Sequence, residues 1–316
     1  MNNTKKCLIA VLILLLAMNL FATKYAGEIF RMGAGVRNFA LGNIGLSDTN
    51  TAGAAYWNAA LLNEISQNRF ELMHAEEYAG LLKYDTAAAV WGRENKISVV
   101  ITRIGIDDIP LTKLEDPNNA ISSSNRPYKY KSVNNSDIVV YAGIARKFGK
   151  YIIGISPKMA YRNLAEESGF GFGADLSTYF KYSKGLIGIK LHDFFTTQIL
   201  WANGTHEIVN PGLDVEANYN LQIPVIKRLA TIYAGGDIYT EGRETAATIA
   251  LGPLSLDFHF GCDLELSKTV NLLLGYDVNN ITSGLAVQIR SWQINYAFEN
   301  DTELENSHRV SVGYLF

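Results

Sequence analysis

The chain has 316 residues, a formal charge of −3, 27 glycines, 17 tyrosines, 14 phenylalanines, only 7 prolines and a charged fraction of 19%. The length suits one large barrel or two ordinary domains, and the slightly acidic balance offers no basic footprint, which excludes nucleic acid as a partner. A hydrophobic content of 48% with mean hydropathy of +0.02 fits a soluble protein and equally a transmembrane barrel, whose lipid-facing and lumen-facing residues average out along each strand.

Residues 1–22 read as an export signal. Met1 to Lys6 is a short polar start with two lysines, Cys7 to Phe21 is an apolar run broken only by Asn19, and Ala22 is a small residue at which cleavage can occur. The run is short for a transmembrane helix. Cys7 precedes the apolar run, so it is not placed as a lipoprotein cysteine. Cleavage removes Lys5 and Lys6, takes the charge from −3 to −5, and leaves Cys262 as the only cysteine, so no internal disulfide can form.

Residues 23–66 form a segment unlike the rest. Gly27 to Leu62 is rich in Gly, Ala and Asn and lacks strand alternation. Thr51 to Ile65 reads as a short helix, with Asn50 or Thr51 as cap and Ala52, Ala54, Ala55, Ala59 and Ala60 favouring it.

Over 67–316 the period becomes two. Leu213, Val215, Ala217, Tyr219 and Leu221 face one way, and Asp214, Glu216, Asn218, Asn220 and Gln222 the other. Leu254, Leu256, Phe258 and Phe260 alternate with Ser255, Asp257, His259 and Gly261; Phe170, Phe172, Ala174 and Leu176 alternate with Gly171, Gly173, Asp175 and Ser177. About fourteen strands are predicted, near 69–76, 83–92, 95–104, 137–147, 150–162, 169–181, 184–194, 212–222, 229–240, 253–266, 270–278, 281–290, 292–299 and 308–316. Most match the roughly 9–11 residues that a tilted strand needs to cross a bilayer, whereas ordinary strands run to about 5–6.

The connections support the same architecture. Tight turns at Gly92–Asn95, Phe148–Lys150, Tyr182–Ser183, Ser267–Thr269 and Arg290–Ser291 alternate with connections of varied length. The two longest, Gly105–Ser136 and Phe195–Pro211, fall on the other side, as extracellular loops do in outer-membrane barrels. Trp91 and Trp292 border tight turns, where an aromatic girdle sits. A soluble two-sheet sandwich also alternates, with its apolar face inward, but leaves strand length and loop parity to coincidence.

The final stretch alternates Val310, Val312, Tyr314 and Phe316 with Arg309, Ser311, Gly313 and Leu315. Such a strand is a sticky edge unless it pairs with the first strand and closes the barrel. With Tyr314 and Phe316 it resembles the assembly signal read by the barrel assembly machinery. The expected fold class is therefore all-β, an antiparallel transmembrane barrel of about fourteen strands in contact with membrane lipid, in the outer membrane of a Gram-negative-type bacterium.

Catalytic chemistry is absent from the pattern. The five histidines, His74, His192, His206, His259 and His308, show no metal-ligand spacing, and there is no Gly-x-Ser-x-Gly elbow or phosphate loop. Ser255 and His259 share a lumen face, which makes a hydrolase conceivable, but a lumen histidine satisfied by its neighbours is the simpler reading. Asp107, Asp108 and Asp116 read as a solvated acidic loop rather than a calcium site. No enzyme, metal or cofactor is expected.

Gly33-Ala34-Gly35-Val36-Arg37-Asn38-Phe39-Ala40-Leu41-Gly42-Asn43, then Ser47-Asp48, then Ala54-Ala55-Tyr56-Trp57-Asn58-Ala59-Ala60-Leu61-Leu62 resembles the start of the PorV/PorQ family, within the wider FadL-like outer-membrane barrels. Ala59 stands where the family has Pro, Leu61 where it has Gly, and Asn43 where a second Gly is usual. Ile104–Pro110, Ser168–Leu176 and Leu272–Phe316 also resemble the family. The resemblance implies that the N-terminal segment is a plug inside the barrel, and a barrel of this size is too wide for its own side chains to fill. The plug motif comprises Arg37, Asp48, Tyr56, Trp57 and Asn58, of which Arg37, Asp48 and Asn58 would then bond lumen groups such as Asp175, Lys190 or Asp257. The alternative is a periplasmic helix packed outside the lumen.

For function, the resemblance implies a non-enzymatic role in type IX secretion. The extracellular loops, Asp107, Asp108, Asp116, Pro117 and Asn118 among them, would bind secreted cargo or secretion-complex proteins. The other implied role is a FadL-like channel for hydrophobic or small solutes. An apolar pocket beside Asn58 favours transport, and a sealed polar lumen with grasping loops favours the partner role.

Overall fold

A computed structural model of the protein describes residues 26–225, 227–243, 247–301 and 305–316. The expected export signal, residues 1–22, lies outside them. One antiparallel sheet contains β1 (Arg69–Glu77), β2 (Leu82–Trp91), β3 (Ile97–Lys113), β4 (Tyr128–Phe148), β5 (Tyr151–Leu164), β6 (Glu167–Tyr182), β7 (Gly185–His192), β8 (Thr197–Trp201), β9 (His206–Val209), β10 (Gly212–Ile223), β11 (Arg228–Tyr239), β12 (Ile249–Leu251), β13 (Leu254–Glu265), β14 (Val270–Asp277), β15 (Asn280–Ile289), β16 (Trp292–Asn300) and β17 (Ser307–Leu315). The short strands β8, β9 and β12 lie outside the ring, and the remaining fourteen close it, with β17 pairing β1. Phe70 pairs Tyr314, Leu72 pairs Val312, and the Phe316 amide donates to Asn68 O at 2.9 Å, so no edge is left at the seam.

The pleat sorts the side chains as the alternation predicts. In β17 Val310 and Val312 are 49% and 44% exposed, while Arg309 and Ser311 are 7% and 3% exposed. Leu256, Phe258 and Phe260 turn outward on β13, and Ser255, Asp257 and His259 turn into the lumen. All six connections on one rim are short, two to five residues each. Two of the tightest place Gly149 (φ 59°) and Arg290 (φ 55°) in the left-handed region that two-residue hairpins require. Trp91, Phe148, Tyr151, Tyr182, Trp292 and Phe316 are exposed along that rim as an aromatic girdle.

Two stretches expected as loops are strands. Gly105–Ser136 is mostly β-hairpin: β3 and β4 continue past the expected 104 and 137, and only 114–127 forms the tip. A register shift between Ile106 and Ile109 absorbs Asp107 and Asp108 as a bulge. The hairpin's apolar alternation, Ile109 with Leu111 and Tyr128 with Tyr130, is short and is broken by the Asp107–Asp108 bulge and Pro110, so the period does not run on from the membrane part of the strands. Phe195–Pro211 folds as the β8–β9 hairpin. β8 pairs β6 beyond the reach of β7, and Ile199 and Val209 are buried against the start of the plug.

Residues 26–66 fill the lumen with a turn of 3₁₀ helix (Glu28–Phe30), a short helix α1 (Val36–Ala40) and a second 3₁₀ helix (Ala59–Asn63). The helix expected over Thr51–Ile65 is thus much shorter, and its cap is Asn58, whose side chain accepts from Ala60 N at 3.1 Å, rather than Asn50 or Thr51. The wall explains the difference. Ser98 Oγ takes the Ala55 amide at 3.0 Å and Ser177 Oγ takes the Ala60 amide at 3.3 Å, so amides that would enter helical bonds are bound to strands instead. Where the plug touches the wall, the wall is glycine. A Cβ on Gly154, Gly188 or Gly275 would lie 2.2, 2.1 and 2.1 Å from Ala60 N, Leu46 O and Gly42 N. The backbones meet directly.

Candidate functional site: the plug and the two lumen cavities

Arg37 is the central tie of the plug. Its Nε donates to Asp48 Oδ2 at 2.9 Å and its Nη2 to Asp263 Oδ2 of β13 at 2.6 Å. Burial alone would lower this guanidinium, but Asp48 and Asp263 outweigh it and hold Arg37 well above its ordinary value. Tyr56 OH accepts from Gly33 N at 2.8 Å, Trp57 Nε1 donates to Ala34 O at 2.7 Å, and Asn58 Nδ2 donates to Leu46 O at 2.9 Å and Thr178 O at 3.2 Å. Asn43 has φ 62°, a conformation that Asn tolerates. The motif residues therefore bind plug to plug and plug to wall. Of the three lumen partners expected from sequence, Lys190 Nζ reaches the plug, donating to Tyr56 O at 2.9 Å. Asp175 bonds Lys158 and Asp257 pairs with Arg243 instead, while Asp263 and Thr178 O take the plug contacts.

The other expected site residues lie apart from the plug. Asp107 pairs with Lys83 at 2.8 Å on the exposed hairpin. Asp116 caps the Asn118 and Asn119 turn at the tip, with Pro117 inside that turn. Tyr314 and Phe316 face outward, with Tyr314 4.9 Å from the Trp292 ring and 6.3 Å from that of Phe316. Ser255 and His259 do not meet: Ser255 Oγ donates to Glu241 O, and His259 sits between Asp237 (2.9 Å) and Asp277 (3.0 Å). No nucleophile–base pair forms there.

Two cavities flank the plug along the wall made by β7, β10, β11 and β13. The outer, of about 310 Å³, opens towards the rim of long connections; the inner, of about 760 Å³, lies towards the short turns. The lumen row of β10 runs past both: Asp214 and Glu216 line the outer cavity, Asn218 and Asn220 the inner. The change from one to the other falls where the plug crosses, with Leu46 on the outer side and Ser47 on the inner. Glu216 pins this crossing. Its Oε2 accepts the amides of Gly45 (3.0 Å) and Leu46 (3.1 Å), and its Oε1 accepts the Ser47 amide (2.7 Å) and the Ser47 hydroxyl. Three consecutive amides around one carboxylate form an anion-binding nest. Asn218 Nδ2 adds a bond to Ser47 O at 2.6 Å.

The outer cavity is strongly charged. Its basic side chains are Arg31, Lys158, Lys190 and Arg243; its acidic ones are Glu28, Asp193, Asp214, Glu216, Asp237, Asp257 and Asp277. Arg31 pairs with Glu28 and Glu241, Arg243 with Asp257, and Lys158 with Asp175 and Asp193. The apolar pocket that would mark a route for hydrophobic solutes is therefore not what lies beside the Tyr56-Trp57-Asn58 motif. Sequence reasoning did not single out Glu216, Asp214 or His192 as site residues. Their signal was present as acidic and imidazole side chains on the lumen face of neighbouring strands, but which residues share a depth depends on register.

A scan against protein-family models and a search of curated proteins found no match. Among solved structures the chain is similar to the toluene transporter TbuX of Ralstonia pickettii, at 10% identity over 90% of this chain and 99% of that chain, with a TM-score of 0.59. It is also similar to a TodX deltaS2S3 mutant monoaromatic hydrocarbon channel and to the CymD monoaromatic hydrocarbon channel, each at 11% identity, over 90% of this chain and 98% of that chain, with TM-scores of 0.53. At such identity the likeness is one of fold. The protein is a closed, fourteen-strand antiparallel barrel that shares its fold with these channels.

Proposed function

We propose that the protein is a FadL-like outer-membrane channel for a small polar solute, shut across its plug. The observation that carries this reading is the pair of cavities on one wall, separated where residues 45–47 cross and are held to Glu216. A pore needs continuous space from rim to rim, and here the crossing held by Glu216, Asn218 and Asn58 lies between the two cavities. The fold likeness to proteins described as hydrocarbon channels supports transport as the activity. The charged outer wall argues for a different solute class, since an apolar solute would displace the water that buried charges require. In liposomes reconstituted with the protein, Glu216→Ala is expected to raise arabinose flux at least several-fold over wild type with the barrel still heat-modifiable. Unchanged flux in this variant, and in one with Tyr56 and Trp57 both replaced by Ala, would end the channel reading.

The second reading is an adaptor of the PorV/PorQ type that binds secreted cargo or secretion-complex proteins. It is supported by the β3–β4 hairpin, whose strands of 17 and 21 residues exceed what a membrane crossing needs and whose outer part exposes Ile121, Tyr128 and Tyr130. Co-purification of partners that is lost on deleting 114–127 would favour it.

A further inference from the structure

A third cavity, of about 150 Å³, lies at the rim of short turns, where the plug passes into β1. Three cations border it: Arg37 of the plug, Arg69 at the start of β1 and Lys268 in the turn between β13 and β14. Among the described residues no carboxylate borders it, and the rest of its polar wall is neutral, Asn50, Gln288 and Gln293 included.

Arg37 already has its counterions in Asp48 and Asp263. Arg69 has none. It is only 6% exposed, its Nε has no hydrogen-bond partner, and its guanidinium makes no ion pair or side-chain hydrogen bond among the described residues. The acids that attract it, Asp48 and Glu71, do so from beyond ion-pair distance and are engaged elsewhere, Asp48 by Arg37 and Glu71 by the Val36 amide at 3.3 Å. Lys96 adds positive charge close by, where it donates to Ile65 O at 2.6 Å and Ser66 O at 2.7 Å. A guanidinium keeps its proton at any ordinary pH, so deprotonation cannot relieve this arrangement. A buried cation is costly unless an anion pairs with it. The space for one is present, since the cavity is many times the about 10–15 Å³ that a single water needs.

We infer that this cavity is a binding site for a small oxyanion of the phosphate or sulfate class. Its oxygens take the forked N–H groups of Arg69, with Lys268 and the glutamine amides as further donors. Arg69 and Gln293 sit on the lumen side of their strands, while their neighbours Phe70 and Trp292 face outward, so the anion is a free one and not a lipid headgroup. Arg37 and Asn50 belong to the plug and Arg69 and Gln293 to the wall, so a bound anion ties the two together. The inference does not rest on the channel reading.

The test is a calorimetric titration of the full-length protein in a phosphate-free maltoside detergent. Sodium phosphate is expected to bind saturably and sodium sulfate comparably, with sodium chloride at least tenfold weaker at matched ionic strength. Phosphate is also expected to raise the unfolding midpoint by mass action. Arg69→Gln is expected to weaken phosphate at least tenfold. If that variant does not assemble, two others decide. Lys268→Ala, on an exposed turn, is expected to weaken phosphate several-fold. Gln293→Glu, which gives the cavity a carboxylate of its own, is expected to weaken it at least tenfold. Phosphate binding no tighter than chloride, or unchanged in any assembled variant, would overturn the site and leave a cavity that holds water only.

Discussion

The plug seat and the outer cavity lie side by side in one lumen and are built by opposite rules. In the seat, small residues bring backbones into contact, and each plug-motif side chain finds a partner: Arg37 on Asp48 and Asp263, Trp57 on Ala34 O, Asn58 on Leu46 O and Thr178 O. In the cavity, charged side chains border open space and meet in ion pairs, His192 with Asp193 and Asp214, and His259 with Asp237 and Asp277. A satisfied, close-packed contact fixes one conformation, whereas charged groups around open space leave room for water and solute. The seat is thus the frame of the lumen, and the cavity with its Glu216 latch is the part that can act.

That contrast can be broken from the seat side first. Arg37→Met leaves Asp48 and Asp263 without their cation, and breaking a buried pair in this way costs about 3–5 kcal/mol. The expected result is a barrel with a much lower midpoint in guanidinium unfolding and a plug open to limited proteolysis. Gly188→Val drives a side chain against Leu46 O. Overpacking of this kind costs about 1–3 kcal/mol, and because Leu46 belongs to the latched crossing, arabinose flux should rise with the loss of stability. A normal unfolding midpoint for both variants would mean that the plug is not seated as described.

Smaller effects test the outside of the barrel. Phe316→Ser removes the outward aromatic at the seam beside Tyr314 and Trp292. It is expected to lower the amount of assembled protein in the outer-membrane fraction, measured by heat-modifiability, with little change in the unfolding midpoint of what does assemble. Unaltered membrane levels would argue against Tyr314 and Phe316 as an assembly signal. Deleting 114–127, with β3 and β4 rejoined by a two-residue turn, should shift barrel stability within about 0.5 kcal/mol, as expected of surface changes away from buried contacts. Arabinose flux in the Glu216→Ala background should be untouched. A change in that flux would mean that the hairpin tip reaches the cavity mouth.

Much of the barrel was legible in the chain because its causes are local. The outward set Leu254, Leu256, Phe258 and Phe260 alternates with Ser255, Asp257 and His259 because a pleat has a period of two and this wall has lipid on one side and polar groups on the other. The closing pair β17–β1 follows from the need to leave no edge in a membrane. What failed locally has a local reason too: in the outer half of the β3–β4 hairpin the Asp107–Asp108 bulge and Pro110 interrupt the alternation, and the Thr51–Ile65 stretch gives amides to Ser98 and Ser177 on the wall.

The site was decided by tertiary structure. Arg37 meets Asp263 across 226 positions and Ser47 meets Glu216 across 169, and no spacing rule connects residues so far apart. Alternation tells which side chains enter the lumen, but only strand register and stagger place Asp214 opposite Lys190 and Gly212 opposite His192. The glycines of the seat looked like any glycines in strands until the plug lay against them. By itself, then, the sequence determined a polar-lined membrane barrel with a small-residue segment ahead of it, because those properties depend on neighbours along the chain. Which lumen groups are paired, which are left over, and where the plug divides the space depend on neighbours across the barrel, and closure of the ring alone sets those.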